Sequence, residues 1–259
     1  DTIMQWKVVT DSGCDIPEKI RNRTEVPYES VAFSITEEKT SCPSPAAWLA
    51  AYAGAEQVIV VTMSGALSGS CRSAAVAREI YLEQHPECCL YVLDSRMAGP
   101  GIGLLVYGIL EDIHQGKTYE QVVAAARLRR KNIQMIFALS SFENLVRAGR
   151  IHRLMGYAAD RLGLTVIGTG NREGRIELIH RVRGAQRVYG QIVQDMEKRQ
   201  FTGGDVWISH CYNRRGAALL AHSIQEKWPE AKVIVRQTGE ICSYYAEKGG
   251  LIVAFSCDI

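Results

Sequence analysis

The sequence lacks the short motifs that mark common metal, nucleotide and hydrolase sites. Its eight cysteines include no C-x-x-C pair, and none has zinc-finger spacing to a histidine, which argues against a structural zinc site. Neither the G-x-x-x-x-G-K-[ST] nor the G-x-G-x-x-G pattern of nucleotide-binding loops occurs. The G-x-S-x-G turn of serine hydrolases is also missing. These absences disfavour a nucleotide cofactor, a metal and a hydrolytic serine.

Charge and hydropathy exclude further classes. The net charge is only +2, so no overall excess of charge points to nucleic acid or to an anionic membrane. No apolar run reaches the roughly 18 residues that a membrane-spanning helix needs. Scattered thiols in a chain with 47% hydrophobic residues are typical of a reducing compartment. The composition therefore predicts a cytoplasmic protein with no nucleic-acid partner and no membrane span.

The most informative stretch begins at Gln57. Apolar, mostly β-branched residues from Val58 to Val61 predict a strand buried on both faces. Small residues follow and open a helix; they are Thr62, Ser64, Gly65, Ser68, Gly69 and Ser70. Backbone N–H groups at such a helix start favour an anion, and glycine lets a ligand approach the backbone. A tight strand-to-helix turn without a ligand explains the same residues equally well.

Two other predicted strands end in polar residues of the same kind. The three endings are Thr10-Asp11-Ser12, Thr62-Met63-Ser64 and Asp94-Ser95. Alternating strands and helices predict a parallel sheet with helices on both faces, a three-layer α/β/α domain. Ligands of such sheets lie outside the carboxyl ends of the strands. If the three strands are neighbours, their hydroxyl groups converge on one crevice that suits a carboxylate.

The second half of the chain has a different pattern. Leu164–Gly168 and Ile176–Val182 flank a polar turn, which predicts a hairpin. Further strand and helix signals follow, so the sequence predicts a second α/β domain with a mixed sheet. The boundary is expected between Arg147 and Gly163, giving an N-terminal domain over residues 1–155 and a C-terminal domain over residues 156–259.

Short motifs occur in a specific order along nearly the whole chain. They are Thr10-Asp11-Ser12 with Asp15, Thr40-Ser41-Cys42-Pro43-Ser44-Pro45, Ser64-Gly65-Ala66-Leu67-Ser68-Gly69-Ser70, Asp94-Ser95-Arg96-Met97-Ala98 with Gly101 and Gly103, Leu145-Val146-Arg147-Ala148-Gly149-Arg150-Ile151, and Gly174-Arg175-Ile176 with Val182-Arg183. In this order they resemble the DegV family of bacterial two-domain proteins, which bind a long-chain fatty acid.

The resemblance implies a site and a role. Thr62 and Ser95 are expected to hydrogen-bond the carboxylate of a fatty acid such as palmitate, stearate or oleate. The acyl chain is expected in an apolar tunnel between the domains, covered by the C-terminal one. Such proteins are similar to the binding subunit of fatty acid kinase, which presents the carboxylate to a separate kinase and does no chemistry itself. No cofactor is expected. The predicted fatty-acid site comprises Thr62, Ser64, Gly65, Ser95, Met97, Arg183 and Tyr245.

The chain departs from the family pattern at several positions. Cys42 replaces a glutamine, and Tyr245 replaces a histidine near the C-terminus. A tyrosine hydroxyl can donate to a carboxylate, but it does not titrate near neutral pH as histidine does. Glu247 and Lys248 add charges that can change which partner docks there. These departures bear on kinase coupling more than on lipid binding.

Two rival functions stay open on the sequence. A serine hydrolase or esterase could use Ser64, Ser68 or Ser95 as nucleophile with His210, although the usual elbow is absent. A carrier of a different apolar carboxylic acid fits the same residues. Arg147, Arg150 and Arg175, with Arg183, fit a basic rim for a partner or phosphate, and a solvated surface explains the first three equally well.

Overall fold

The structure is a computed structural model that describes residues 5–151 and 163–257. Its twelve described strands are β1 (Trp6–Asp11), β2 (Tyr28–Val31), β3 (Ser34–Ile35), β4 (Thr40–Ser41), β5 (Gln57–Thr62), β6 (Cys89–Asp94), β7 (Ile133–Leu139), β8 (Leu164–Gly170), β9 (Ile176–Arg183), β10 (Asp205–His210), β11 (Lys232–Gln237) and β12 (Leu251–Ser256). Its described α-helices are α1 (Glu18–Arg21), α2 (Pro45–Tyr52), α3 (Ser70–Gln84), α4 (Pro100–His114), α5 (Tyr119–Asn132), α6 (Glu143–Arg147), α7 (Ala185–Lys198), α8 (Arg214–Lys227) and α9 (Glu240–Ala246).

The chain forms two compact units. The first holds residues 1–98 and 102–131, and the second holds residues 99–101 and 132–259. The division after residue 131 differs from the predicted boundary between residues 155 and 156, two positions that lie outside the described residues. The physical reason is β7, because this strand pairs with β12 and β8 and so belongs to the second sheet.

The first unit contains the predicted parallel sheet. Its four strands have the order β2-β1-β5-β6, and every pairing is parallel. Val58 to Val61 on β5 are fully buried, as expected for a strand covered on both faces. On one face, a cluster that includes Trp48, Tyr52 and Tyr81 packs α2 and α3 against the strands. On the other, Trp6 stacks on Tyr119 at the start of α5.

The second unit contains the predicted mixed sheet. Its six strands have the order β11-β10-β12-β7-β8-β9, and only β10 and β11 pair in parallel. Strands β8 and β9 form the predicted hairpin, with an irregularity in register between Ile167 and Gly168. A Cβ atom at position 168 would overlap the Phe137 ring, so glycine is required there. Helices α7 and α8 contribute Ile192 and Leu220 to the core of this unit.

No helix in the described parts of the chain is long and apolar enough to cross a membrane. This agrees with the absence of a long apolar run in the sequence.

Helices α4 and α5 are joined by a buried ion pair. Asp112 on α4 is 2% exposed, and its carboxylate accepts hydrogen bonds from Arg129 of α5 and from Lys117 between the helices. Burial alone raises the pKa of this carboxyl group. The bonds from Arg129 and Lys117 outweigh burial and hold the pKa below its ordinary value.

We expect Asp112→Asn to lower the free energy of unfolding by about 1.5–3 kcal/mol at neutral pH, because it removes charge-assisted hydrogen bonds while Arg129 and Lys117 stay partly exposed to solvent. A carboxyl group with a lowered pKa stabilises the fold above its unfolded pKa, and that stabilisation is lost as the pH falls through the folded value. The difference between variant and wild type should therefore shrink in acid. Urea unfolding at several pH values measures this, with the exposed Glu120→Gln on α5 as control. Equal stability of wild type and Asp112→Asn at pH 7 would contradict the assignment.

Candidate functional site

The three polar strand endings meet at one edge of the first sheet. Strands β1, β5 and β6 are neighbours in that order. Thr62 pairs in register with Asp94, and the pairing of Thr10 with Val61 places Asp11 next to Thr62 on the other side. Register neighbours point to the same face of a sheet. Thr62 therefore lies between two aspartates, on the face that α3 covers.

The backbone N–H groups of the loop after β5 already have partners. Ser64 N donates to Met97 O at 2.9 Å, and Leu67 N and Ser68 N donate to Ser64 O. Ala66 N donates to the Ser64 hydroxyl at 3.3 Å. The loop therefore uses these N–H groups to hold its own shape, and the anion-binding role of the N–H groups at the start of α3 stays a prediction.

Asp11 is the main internal acceptor. Its Oδ2 atom accepts from Met63 N at 2.8 Å and from the Ser70 hydroxyl at 2.6 Å, and its Oδ1 accepts from Gly13 N at 3.0 Å. Complete burial raises the pKa of Asp11 to about 6, although all three hydrogen bonds oppose the rise. The carboxyl group thus links the end of β1 to the loop after β5 and to the first residue of α3.

Asp94 holds the next part of the loop. Its Oδ1 atom accepts from Gly65 N at 3.1 Å and from Arg96 N at 2.9 Å. A Cβ atom on residue 65 would lie 2.7 Å from Asp94 Oδ2. Gly65 therefore makes room for an aspartate of the protein itself, and its contact with a ligand stays a prediction.

No individual role was predicted for Asp11 or Asp94. A signal was present, since each is the last residue of an apolar strand and precedes a serine. Carboxylates at that position can accept from the N–H groups of the small-residue loops that follow.

The hydroxyl groups of Thr62 and Ser95 are fully buried and donate to backbone carbonyls. Thr62 Oγ1 donates to Met63 O at 3.0 Å, and Ser95 Oγ donates to Met97 O at 3.2 Å. Ser95 N also donates to Thr62 O at 3.2 Å. Five predicted residues, Thr62, Ser64, Gly65, Ser95 and Met97, thus belong to one hydrogen-bonded network.

Cys71 also contacts this network. The Thr62 hydroxyl hydrogen-bonds its thiol, and burial raises the thiol pKa, with Asp94 and Asp11 raising it further. No role was predicted for Cys71, because nothing in the local sequence shows that the second residue of α3 faces Thr62. The Thr62 hydroxyl and the Cys71 thiol therefore lie together between two carboxyl groups, and the Ser95 hydroxyl follows Asp94 in the chain. Such hydroxyl protons can turn from their carbonyl partners to the oxygens of an entering carboxylate.

The other two predicted residues lie in the second unit. Arg183 is the last residue of β9 and is exposed. Tyr245 on α9 is half-buried and meets the Tyr244 ring edge to face, with centroids 5.0 Å apart. Their contact with a bound carboxylate stays a prediction.

Glu247 has an internal role. Its carboxylate accepts from the Ser141 hydroxyl at 3.0 Å and from Asn144 N at 3.2 Å. An acceptor at the first turn of α6 satisfies N–H groups that the helix leaves open. Glu247 therefore stabilises the start of α6, whereas Lys248 is exposed.

A search of the described residues finds no group of three or more histidine, cysteine, aspartate or glutamate side chains that could hold a metal ion.

The chain is similar to proteins of a known family over most of its length. Residues 26–257 match a family model described as "Uncharacterised protein, DegV family". A DegV domain-containing protein of Streptococcus pyogenes serotype M3 is 32% identical over 278 residues, covering 97% of this chain and 99% of the relative.

Solved structures are similar along the whole chain. A DegV family protein from Eubacterium eligens loaded with heptadecanoic acid has 29% identity and a TM-score of 0.92, covering 98% of this chain and 100% of that one. The Streptococcus pneumoniae Fatty Acid Kinase (Fak) B3 protein loaded with linoleic acid has 30% identity, the same TM-score and the same coverage.

Gly65→Ala tests the hold of Asp94 on the loop. The new methyl group would meet Asp94 Oδ2 at 2.7 Å, so the carboxylate must turn away from Gly65 N and Arg96 N. We expect the free energy of unfolding to fall by about 0.5–1.5 kcal/mol, because two hydrogen bonds to the carboxylate are lost while their exposed donors can turn to water. Denaturant unfolding measures the change.

Gly190→Ala in α7 is the matched control. A Cβ atom there meets nothing within 4 Å, so this variant should gain about 0.5–1 kcal/mol. A Gly65→Ala protein as stable as Gly190→Ala would show that Asp94 does not constrain the loop.

Proposed function

Because the chain belongs to the DegV family, we propose that it binds a long-chain fatty acid whose carboxylate accepts the hydroxyl protons of Thr62 and Ser95. The observation that carries the proposal is the pair of fully buried hydroxyl groups at neighbouring strand ends. Its further support is the similarity to DegV proteins loaded with heptadecanoic and linoleic acids.

Binding of the carboxylate head group would replace weak hydrogen-bond acceptors of the two hydroxyl groups with a stronger one. Without ligand, Thr62 and Ser95 donate to the neutral carbonyls of Met63 and Met97. A carboxylate is a stronger acceptor than a carbonyl, because hydrogen bonds to an ionised group are about twice as strong. A buried carboxylate without donors would be costly, so these hydroxyl groups select an acid over an alcohol or an alkane.

The acyl chain supplies most of the affinity. Each buried CH₂ group contributes about 0.8 kcal/mol, so palmitate, stearate and oleate all have enough apolar surface for tight binding. The position of the chain in an apolar tunnel between the domains is a prediction from the family resemblance.

Presentation of the fatty acid to a separate fatty acid kinase is the second part of the proposal. Its support is the 30% identity to the Fak B3 protein. Tyr245 lies where the family pattern has histidine, so here a hydroxyl replaces a group that titrates near neutral pH.

A hydrolase is the less favoured alternative. The Ser68 hydroxyl accepts from Ser70 N at 3.1 Å. The histidines of the first unit are engaged elsewhere, His85 with Glu87 and His114 with Thr24 O. No observation in the described residues supplies one of these serines with a base. A carrier of another apolar acid differs only in its ligand, which extraction identifies.

Protein purified from a bacterial host should carry a fatty acid, and Thr62→Ala with Ser95→Ala should lose most of it. Each lost hydrogen bond to a charged group is worth about 1.5–3 kcal/mol, so the double variant should bind at least a hundredfold more weakly. Lipid extraction with mass spectrometry measures occupancy. Thr202→Ala with Ser223→Ala in the second unit is the matched control.

Two outcomes would contradict the proposal. A wild-type protein that is empty and takes up neither oleate nor palmitate would refute lipid binding. Full occupancy in the Thr62 and Ser95 double variant would refute the head-group site alone.

A reactive ligand tests the head-group position directly. With its carboxylate at Thr62, 2-bromohexadecanoate places its bromine-bearing carbon near Cys71, whose thiolate displaces bromide and forms a thioether. Because the pKa of Cys71 is raised, the reaction should speed up between pH 7 and 9. Peptide mapping should find the adduct on Cys71, blocked by palmitate, while any adduct on the exposed Cys89 should be insensitive to palmitate. Palmitate-sensitive labelling that maps only to another cysteine would place the head group elsewhere.

A further inference from the structure

The proposed carboxylate site already contains two acidic side chains. Asp11 and Asp94 flank Thr62 on the neighbouring strands, in register and on one face of the sheet. Asp11 is completely buried, and its three partners are two backbone N–H groups and the Ser70 hydroxyl. Among the described residues it forms no ion pair, so no positive side chain offsets its charge directly.

The surroundings of this acid pair are mostly acidic or neutral. In the segment after β1, Cys14 and the fully buried Asp15 follow Asp11. From α3, the Cys71 thiol is close enough to both aspartates for each to raise its pKa. Positive charge lies on the far side of Asp94, where Arg130 of α5 donates to the Asp94 carbonyl at 3.0 Å and Arg96 follows Ser95. These cations compensate Asp94 better than Asp11.

A fatty-acid carboxylate at Thr62 would be the third acid in this cluster. Met63 N donates to Asp11 while the Met63 carbonyl accepts from Thr62, so the backbone of one residue connects Asp11 to the proposed ligand position. Adjacent buried carboxyl groups do not all ionise, because repulsion and desolvation both disfavour a second charge. A proton on either group removes both penalties.

We infer that this protein takes up its fatty acid together with one proton, which the acyl carboxyl group and Asp11 share. The inference rests on the proposed function and adds a coupling of lipid loading to pH. The proton comes from solvent and returns there when the lipid leaves. It belongs to the coupled pair and not to either group alone.

The direction of the pH dependence follows from linkage. In the ligand-free protein Asp11 titrates at about pH 6. Below that pH it already holds the proton, so binding needs no further uptake and the affinity is flat. Above it, the complex holds about one more proton than the separate partners, and the affinity falls by up to about tenfold per pH unit. Loading is thus favoured in acid and release in base.

Calorimetry of tetradecanoate binding at pH 7.5, in buffers with different ionisation enthalpies, counts the protons directly. We expect an uptake of between about half a proton and one proton per ligand. Asp11→Asn keeps the size of the side chain and mimics the protonated acid, so it should bind without uptake and with an affinity that is nearly constant from pH 6 to 8. Asp205→Asn, in the second unit, should retain the wild-type uptake.

The outcomes separate this inference from the function on which it rests. Tetradecanoate binding by wild type with no proton uptake would overturn proton coupling and leave lipid binding intact, whereas no binding at all would refute the proposed function. Uptake that persists in Asp11→Asn would overturn the role of Asp11. If that variant does not fold, the ¹³C shift of carboxyl-labelled tetradecanoate bound to wild type decides: a titration more than one pH unit above that of the free acid supports a shared proton, and an unshifted titration overturns it.

Discussion

The candidate site depends on one buried carboxyl group that the protein satisfies with three hydrogen bonds. Asp11 connects the end of β1 to the loop after β5 and the start of α3, which follow more than fifty residues later. Burial without those donors would be prohibitive for an ionised acid, so the loop has to fold around Asp11. Asp94, at the end of strand β6, likewise accepts hydrogen bonds from two backbone N–H groups. Loops that contain many small residues gain a fixed shape in this way, and the hydroxyl groups between them gain fixed positions.

Local patterns were sufficient to predict most secondary structure in the site. The β-branched run before Thr62 predicted a strand buried on both faces, and the polar turn before Ile176 predicted the hairpin of β8 and β9. The ends of β1, β5 and β6 are neighbours in the sheet. From the sequence, their convergence could be predicted only on the assumption that these strands are adjacent. Alternation of strands and helices indicates a parallel sheet but not the order of its strands.

Features set by long-range pairing could not be read from the sequence. Strand β7 looked like a continuation of the first domain, yet it pairs with β12, more than a hundred residues later. The glycines of the loop after β5 signalled close approach of another group, and only the structure identifies Asp94 as that group. Glu247 looked like a free charge because its partners, Ser141 and Asn144, are about a hundred residues away. In each case the sequence correctly indicated a local feature, but it did not show which distant residue or strand that feature contacts.

The carbonyl partners of Thr62 and Ser95 have a consequence for unloading. A site whose donors have no acceptor when it is empty opposes dissociation of its ligand. Each donor must then bind water or lose its hydrogen bond. Here Met63 O and Met97 O accept the hydroxyl protons of Thr62 and Ser95, so these donors are satisfied without a ligand. Under the proposed function, a departing carboxylate would leave both hydroxyl protons with carbonyl acceptors, and the loop would keep its shape through loading and unloading.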